Sequence, residues 1–114
     1  NQAANHLTGG AGADTFTWKA VADSQPAKAD TITDFLKGSD RIDLSAIDAK
    51  PATASDDAFK FIGTAAFSGV AGELRQEAGT GGLHVLGDVN GDKVPDFDIF
   101  VANQASLTTV DFQF

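Results

Sequence analysis

Apolar residues in the first third of this chain come in very short bursts, each flanked by aspartate, threonine or glycine. Four segments share one frame, an oxygen donor followed by one apolar residue between two outward ones: Asn5-His6-Leu7-Thr8, Asp14-Thr15-Phe16-Thr17, Asp30-Thr31-Ile32-Thr33 and Asp40-Arg41-Ile42-Asp43. Alternation with a period of two predicts half-buried strands, here very short and each reached through a turn. Nine residues separate Asn5 from Asp14; an inserted loop precedes Asp30, and Asp40 follows ten residues on.

The remaining pattern predicts further short elements. Val21-Ala22 reads as a helical turn in the Ala20–Ala29 loop, broken at Pro26, and Leu44 to Lys50 as a short turn of helix capped by Ser45 and stopped by Pro51. Ala52 to Ala58 reads as a surface connection, Phe59 to Ile62 as a strand, and Ala65 to Ser68 as a helical turn before Gly69. The last third predicts antiparallel strands at Glu73–Glu77, Leu83–Leu86 and Phe97–Val101, with a glycine-rich turn at Gly79–Gly82. Val110, Phe112 and Phe114 alternate and predict a final strand. No linker divides the chain, so one domain is expected over residues 1–114, all-β with short helical turns.

Composition sharpens this picture. Fourteen aspartates stand against two glutamates, Glu73 and Glu77, beside 12 glycines. Aspartate favours turns, caps and oxygen-ligand loops, whereas a solvated helix would favour glutamate. The net charge of −8 argues against binding a phosphate backbone, so no nucleic acid partner is expected. No cysteine is present, which excludes disulfides, thiolate zinc sites and a cysteine nucleophile. No apolar run approaches 18 residues, so neither signal peptide nor membrane span is visible. The start at Asn1 suggests the tail end of a longer protein.

Gly9-Gly10-Ala11-Gly12-Ala13-Asp14-Thr15-Phe16-Thr17 fits the nonapeptide G-G-x-G-x-D-x-U-x, with U a large apolar residue. Here the chain resembles the repeats-in-toxin (RTX) calcium-binding family, whose repeats stack into a parallel β-roll. Asn1 to Thr8 fits a preceding, worn repeat in which Asn5 replaces the aspartate. "DTITDFLKGSDRIDLSAID" (30–48), "FIGTAAFSGVAGELR" and "GDVNGDKVPDFDIFV" resemble the C-terminal domain of serralysin-type exported proteins. The resemblance implies a β-roll end over residues 1–48 followed by an antiparallel cap over residues 49–114. It also implies a calcium site using Gly9, Gly10, Gly12 and Asp14, completed by an acid after the last repeat. Asp30, Asp34 and Asp40 are available, and Asp30 is expected before Asp34. Otherwise Asp30 and Asp40 are turn and strand-opening residues.

A second acidic stretch begins at Asp88. Asp88, Asn90, Asp92 and Asp96 occupy positions one, three, five and nine of an EF-hand-like loop, but Lys93 stands where glycine is expected and Ile99 where a bidentate glutamate is expected. The competing reading is a β-hairpin whose Asn90-Gly91 supplies positive φ, with Asp98 on the solvent face. A hairpin loop with converging carboxylates can also hold calcium.

Catalytic patterns are missing. His6 and His84 lie in no H-E-x-x-H spacing and no serine sits in a G-x-S-x-G elbow, so this segment is expected not to be an enzyme. Asp111-Phe112-Gln113-Phe114 resembles the C-terminal signal of proteins exported by a type I ABC transporter, an acid followed by hydrophobic residues, with Gln113 departing from it. The implied reading is a secreted, extracellular, calcium-binding end domain that supports export, post-export folding and capping of upstream RTX repeats or a catalytic domain. The alternative is a module binding an alginate-like polysaccharide, which needs a basic or aromatic groove; Trp18 is the only tryptophan. An adhesin or surface-layer end segment would share the same calcium sites.

Overall fold

The computed structural model of the chain describes residues 6–26, 29–49 and 58–114. The four aspartate-framed segments become β1 (His6–Leu7), β2 (Thr15–Thr17), β3 (Asp30–Ile32) and β4 (Arg41–Asp43). Each is too short to return alongside its predecessor. The chain instead crosses to a facing sheet at every turn, so β1 pairs with β3 and β2 with β4, both parallel. Leu7 and Ile32 are directly registered in one sheet, Phe16 and Ile42 in the other. The single apolar residue of each rung thereby points into the space between the sheets.

The second half extends both sheets. β6 (Glu73–Gly79), β7 (Gly82–Asp88) and β8 (Phe97–Ala102) form an antiparallel meander. β8 then pairs parallel with β3, which gives a six-stranded sheet in the order β1-β3-β8-β7-β6-β5. β5 (Lys60–Phe61) is parallel to β6, and β9 (Phe112–Gln113) is parallel to β4, completing a three-stranded sheet β2-β4-β9. The antiparallel strands expected after residue 49 are this meander, and parallel pairings add to it: β8 continues the roll beside β3, β9 beside β4, and β5 lies along β6.

The core lies between the sheets. Ile32, Leu74, Leu83, Val85, Ile99 and Val101 face inward from the large sheet, and Phe16, Ile42 and Phe112 from the small one, all buried. Fully burying one such side chain contributes about 1.5–3 kcal/mol. Phe59 meets Phe97 edge-on at 5.4 Å, and Phe61 lies 5.1 Å from Phe112. Gly87 is forced by this packing, since a Cβ there would enter the Phe97 ring.

Several local expectations change. Val21–Ser24 is a 3-10 turn as anticipated. Residues 44–49 form only a turn, with Ile47 N–H donating to Leu44 O, and the cap is Asp43, whose Oδ1 accepts from both Ser45 N and Ser45 Oγ. No helical turn forms at Ala65–Ser68; Glu73 takes Ser68 N and Oγ at 2.8 Å each, and the Arg75 Nε donates to Ala65 O. The strand expected to include Val110 is also shorter. Thr109–Asp111 is a 3-10 turn, closed by Asp111 Oδ2 on Thr108 N at 2.8 Å. Val110 consequently points out, 69% exposed, and pairing begins only at Phe112. The connection expected over Ala52–Ala58 lies outside the described residues up to 57, as does Asn5 of the worn repeat. Among the described residues no helix is long and apolar enough to cross a membrane.

Candidate metal centre

Asp88 is the last residue of β7, and the chain leaves it as a loop that returns at β8. Its carboxylate is completely buried and gathers the loop around itself. Oδ1 accepts from Gly91 N at 2.8 Å and Asn90 N at 3.2 Å, and Oδ2 from Lys93 N at 2.9 Å. Further on, Asn90 Oδ1 accepts from Asp92 N, and Asp92 Oδ1 from Val94 N, at 3.1 and 2.9 Å. Asp96 closes the loop, its Oδ2 accepting from Val89 N at 2.8 Å and its own N–H donating to Gly87 O. Side chains that each tie down a nearby backbone N–H wind the loop tightly around Asp88.

The result is a carboxylate cluster. One oxygen from each of Asp88, Asp92 and Asp96 lies within 4.8 Å of the others, the one group of three or more such ligands among the described residues. Burial pushes the Asp96 carboxyl above its ordinary value, and the Asp92 and Asp88 charges push it the same way, against the Val89 hydrogen bond. Three acids that offer hard oxygens to one another suit a cation of calcium type better than a soft transition metal. The loop joins two antiparallel strands, as the hairpin reading expects, and its carboxylates converge. Gly91 has φ +78° and Lys93 has φ +67°. A Cβ on Gly91 would stand 2.9 Å from Gly69 O, so the 63–72 loop packs directly on this one. Asp98 departs from expectation: rather than facing solvent, its side chain is 13% exposed and both oxygens hold His84 Nδ1. Burial raises its pKa more than His84 lowers it.

The N-terminal turn is built differently. Asp34 reaches it: the Asp34 oxygens accept from Gly9 N at 2.9 Å and Gly10 N at 2.8 Å, and these bonds hold its carboxyl below the ordinary value. Asp30 sits inside β3, where its Oδ2 accepts from the Trp18 indole N–H at 2.9 Å. Asp40 is buried and staples two turns, accepting from Asp14 N and Leu36 N at 2.9 and 2.8 Å. The Asp14 side chain folds against Gly9, whose missing Cβ would otherwise stand 2.5 Å from Asp14 Oδ2. Gly10 and Gly12 take φ of +82° and +90°. Asp14 Oδ2 and Asp111 Oδ1 are buried oxygens that accept no hydrogen bond among the described residues. Composition signalled acids in turns; nothing in the spacing distinguished Asp30 from Asp34.

The family model for the serralysin C-terminal domain of the M10 peptidases matches residues 3–114. The chain belongs to this family. It is 40% identical over 100 residues to the metalloprotease AprA of Pseudomonas entomophila, covering 84% of this chain and 19% of that protein. The metallopeptidase AprA of Pseudomonas marginalis is 39% identical over 97 residues, 83% of this chain and 19% of the relative. The chain thus spans about a fifth of the length of these curated relatives.

Within this serralysin C-terminal domain, the residues that resemble an export signal are half folded in. Asp111 is 1% exposed and Phe112 is buried, while Gln113 and Phe114 are exposed. Phe114 stacks on Phe112 at 5.6 Å. Trp18, the aromatic that a sugar-binding groove would need, is buried in the core.

Proposed function

We propose that this serralysin C-terminal domain is the non-catalytic, calcium-binding end of a secreted metalloprotease. It binds calcium through Asp88, Asp92 and Asp96, with Asn90 as a neutral donor, and supports export by a type I ABC transporter through Asp111 to Phe114. The observation that carries the reading is the mutual approach of the three carboxylates around a completely buried Asp88. Like charges held this close oppose folding until a divalent ion neutralises them. An ion that binds only the folded form then stabilises it by mass action. In a calcium-poor cytoplasm the chain stays loosely folded; in millimolar calcium outside, the loop closes and the roll sets against upstream repeats. Asp14 and Asp34, on adjacent turns, are the donors for a further ion in the N-terminal turn, with Gly9, Gly10 and Gly12 opening its backbone.

Two measurements test this. Calorimetric titration of the chain with calcium should show a binding step that disappears in Asp92→Ala/Asp96→Ala; an unchanged titration in that variant refutes the site. Deleting Asp111 to Phe114 from a passenger fusion should abolish export by a co-expressed type I exporter, and undiminished export refutes the signal.

A further inference from the structure

The Asn90-Gly91 pair carries chemistry that the cation loop does not use. Glycine after asparagine leaves no side chain to block attack by its own nitrogen on the asparagine amide. In that reaction Gly91 N loses its proton and bonds to Asn90 Cγ. The Cγ–Nδ2 bond breaks, and Nδ2 departs as ammonia with that proton. Water then opens the five-membered imide at either carbonyl, leaving an aspartyl or an isoaspartyl residue at position 90. Water is the one co-reactant, and no oxidant enters.

The folded loop opposes each part of this path. Gly91 N must be free to attack, but it donates to Asp88 Oδ1 at 2.8 Å. Asn90 Cγ must swing towards Gly91 N, but its Oδ1 is held by Asp92 N at 3.1 Å. Asn90 N is tied to the same Asp88 oxygen at 3.2 Å. Gly91 is further pinned by the 63–72 loop, where Gly69 O and Ala71 N close the space around it. Asn90 itself is exposed, so water reaches the amide once the loop loosens.

We propose that Asn90 is a fold-gated deamidation site, protected by Asp88 while the loop is closed and converted whenever it stays open. Conversion is irreversible and self-reinforcing. An isoaspartyl linkage inserts a methylene into the backbone and displaces Gly91 N from Asp88. An aspartyl product instead adds a fourth acid beside Asp88, Asp92 and Asp96. The modification therefore records how long a chain has remained unclosed.

The test ages the whole chain at 37 °C and mildly alkaline pH, native and in urea, and follows position 90 by peptide mass and isoaspartate content. Breaking even one charge-assisted hydrogen bond to reach the reactive geometry slows the native form roughly tenfold or more. Equal rates in the two states, or no conversion in urea, overturn the proposal. Asp88→Asn should move the native rate towards the urea rate; a variant with the parent's far-UV circular dichroism that still ages at the parent's rate overturns the role of Asp88. A calcium arm rests on the proposed cation site: added calcium should slow conversion further in the native chain. Protection against urea without any calcium effect would sink the cation reading and leave the gating intact.

Discussion

Truncating Asp88 to alanine separates two tasks that one carboxylate performs. In Asp88→Ala the N–H groups of Asn90, Gly91 and Lys93 lose their acceptor. Asn90 is exposed and its bond is the longest, so its amide turns to water at little cost. The other two are hydrogen bonds to a charged group, worth about 1.5–3 kcal/mol each. Against that stands relief from burying a charge beside Asp92 and Asp96, an offset of about 1–2 kcal/mol. The net loss is about 2–4 kcal/mol, a large share of the roughly 5–15 kcal/mol that holds a domain together. At about 4 °C per kcal/mol for a chain of this length, the melting temperature in chelator should fall by about 8–16 °C. Circular dichroism melts in chelator and in calcium read both tasks. Filling this loop should stabilise the parent by about 2.7 kcal/mol at calcium a hundredfold above its dissociation constant, and the variant should lose that share of the calcium response. A variant within about 1 kcal/mol of the parent in chelator refutes the structural role. One that still responds fully to calcium refutes the ion's placement.

The other predictions concern the remaining acids. Asp40→Ala strips the acceptor from Asp14 N and Leu36 N and should cost about 2–4 kcal/mol in urea denaturation, with or without calcium; a loss that calcium restores would count against a purely structural staple. Trp18→Phe removes the indole donor to Asp30 and should cost about 1.5–3 kcal/mol, read from the urea midpoint. The pH profile in chelator has a worked sign. Asp34 and Glu73 are lowered by hydrogen bonds from Gly9, Gly10 and Ser68, so their stabilisation is present above the ordinary values of 3.8 and 4.5 and is lost as pH falls through the lowered ones. Asp96 and Asp98 are raised chiefly by burial; stability should therefore rise as pH falls through their elevated values towards 3.8. Urea midpoints should peak on the mildly acidic side, and a monotonic fall from neutral pH would contradict this. Asp96→Asn should raise stability in chelator and reduce the gain from calcium, since it removes the charge that its neighbours oppose while leaving an oxygen for Val89 N.

The apolar alternation made the rungs legible. One apolar residue between two polar ones at residues 15–17 and 41–43 became a three-residue strand, and the same frame at 31–33 gave a strand that starts one residue earlier, at Asp30, because a side-chain period of two fixes which face is buried wherever one face meets a core. Partner choice was less legible. Nothing within Phe97 to Ala102 states that it will lie parallel to β3 while running antiparallel to β7, since that depends on which edge the earlier rungs leave open. The acids were the least legible. The short aspartate side chain suits a calcium loop, and for the same reason it suits a backbone N–H a few residues away or on the next turn. Asp34, Asp40, Asp43, Asp88, Asp92, Asp96 and Asp111 all accept such N–H groups. Glutamate, one methylene longer, fits these tight turns less well, which accounts for the ratio of fourteen to two before any ion is invoked. What distinguishes a cation site is not the number of acids but whether they face one another. Asp40 spends its two oxygens on the amides of Asp14 and Leu36, whereas Asp88, Asp92 and Asp96 satisfy the backbone and still converge. Convergence is a property of the wound loop, so it becomes visible only once the backbone is placed.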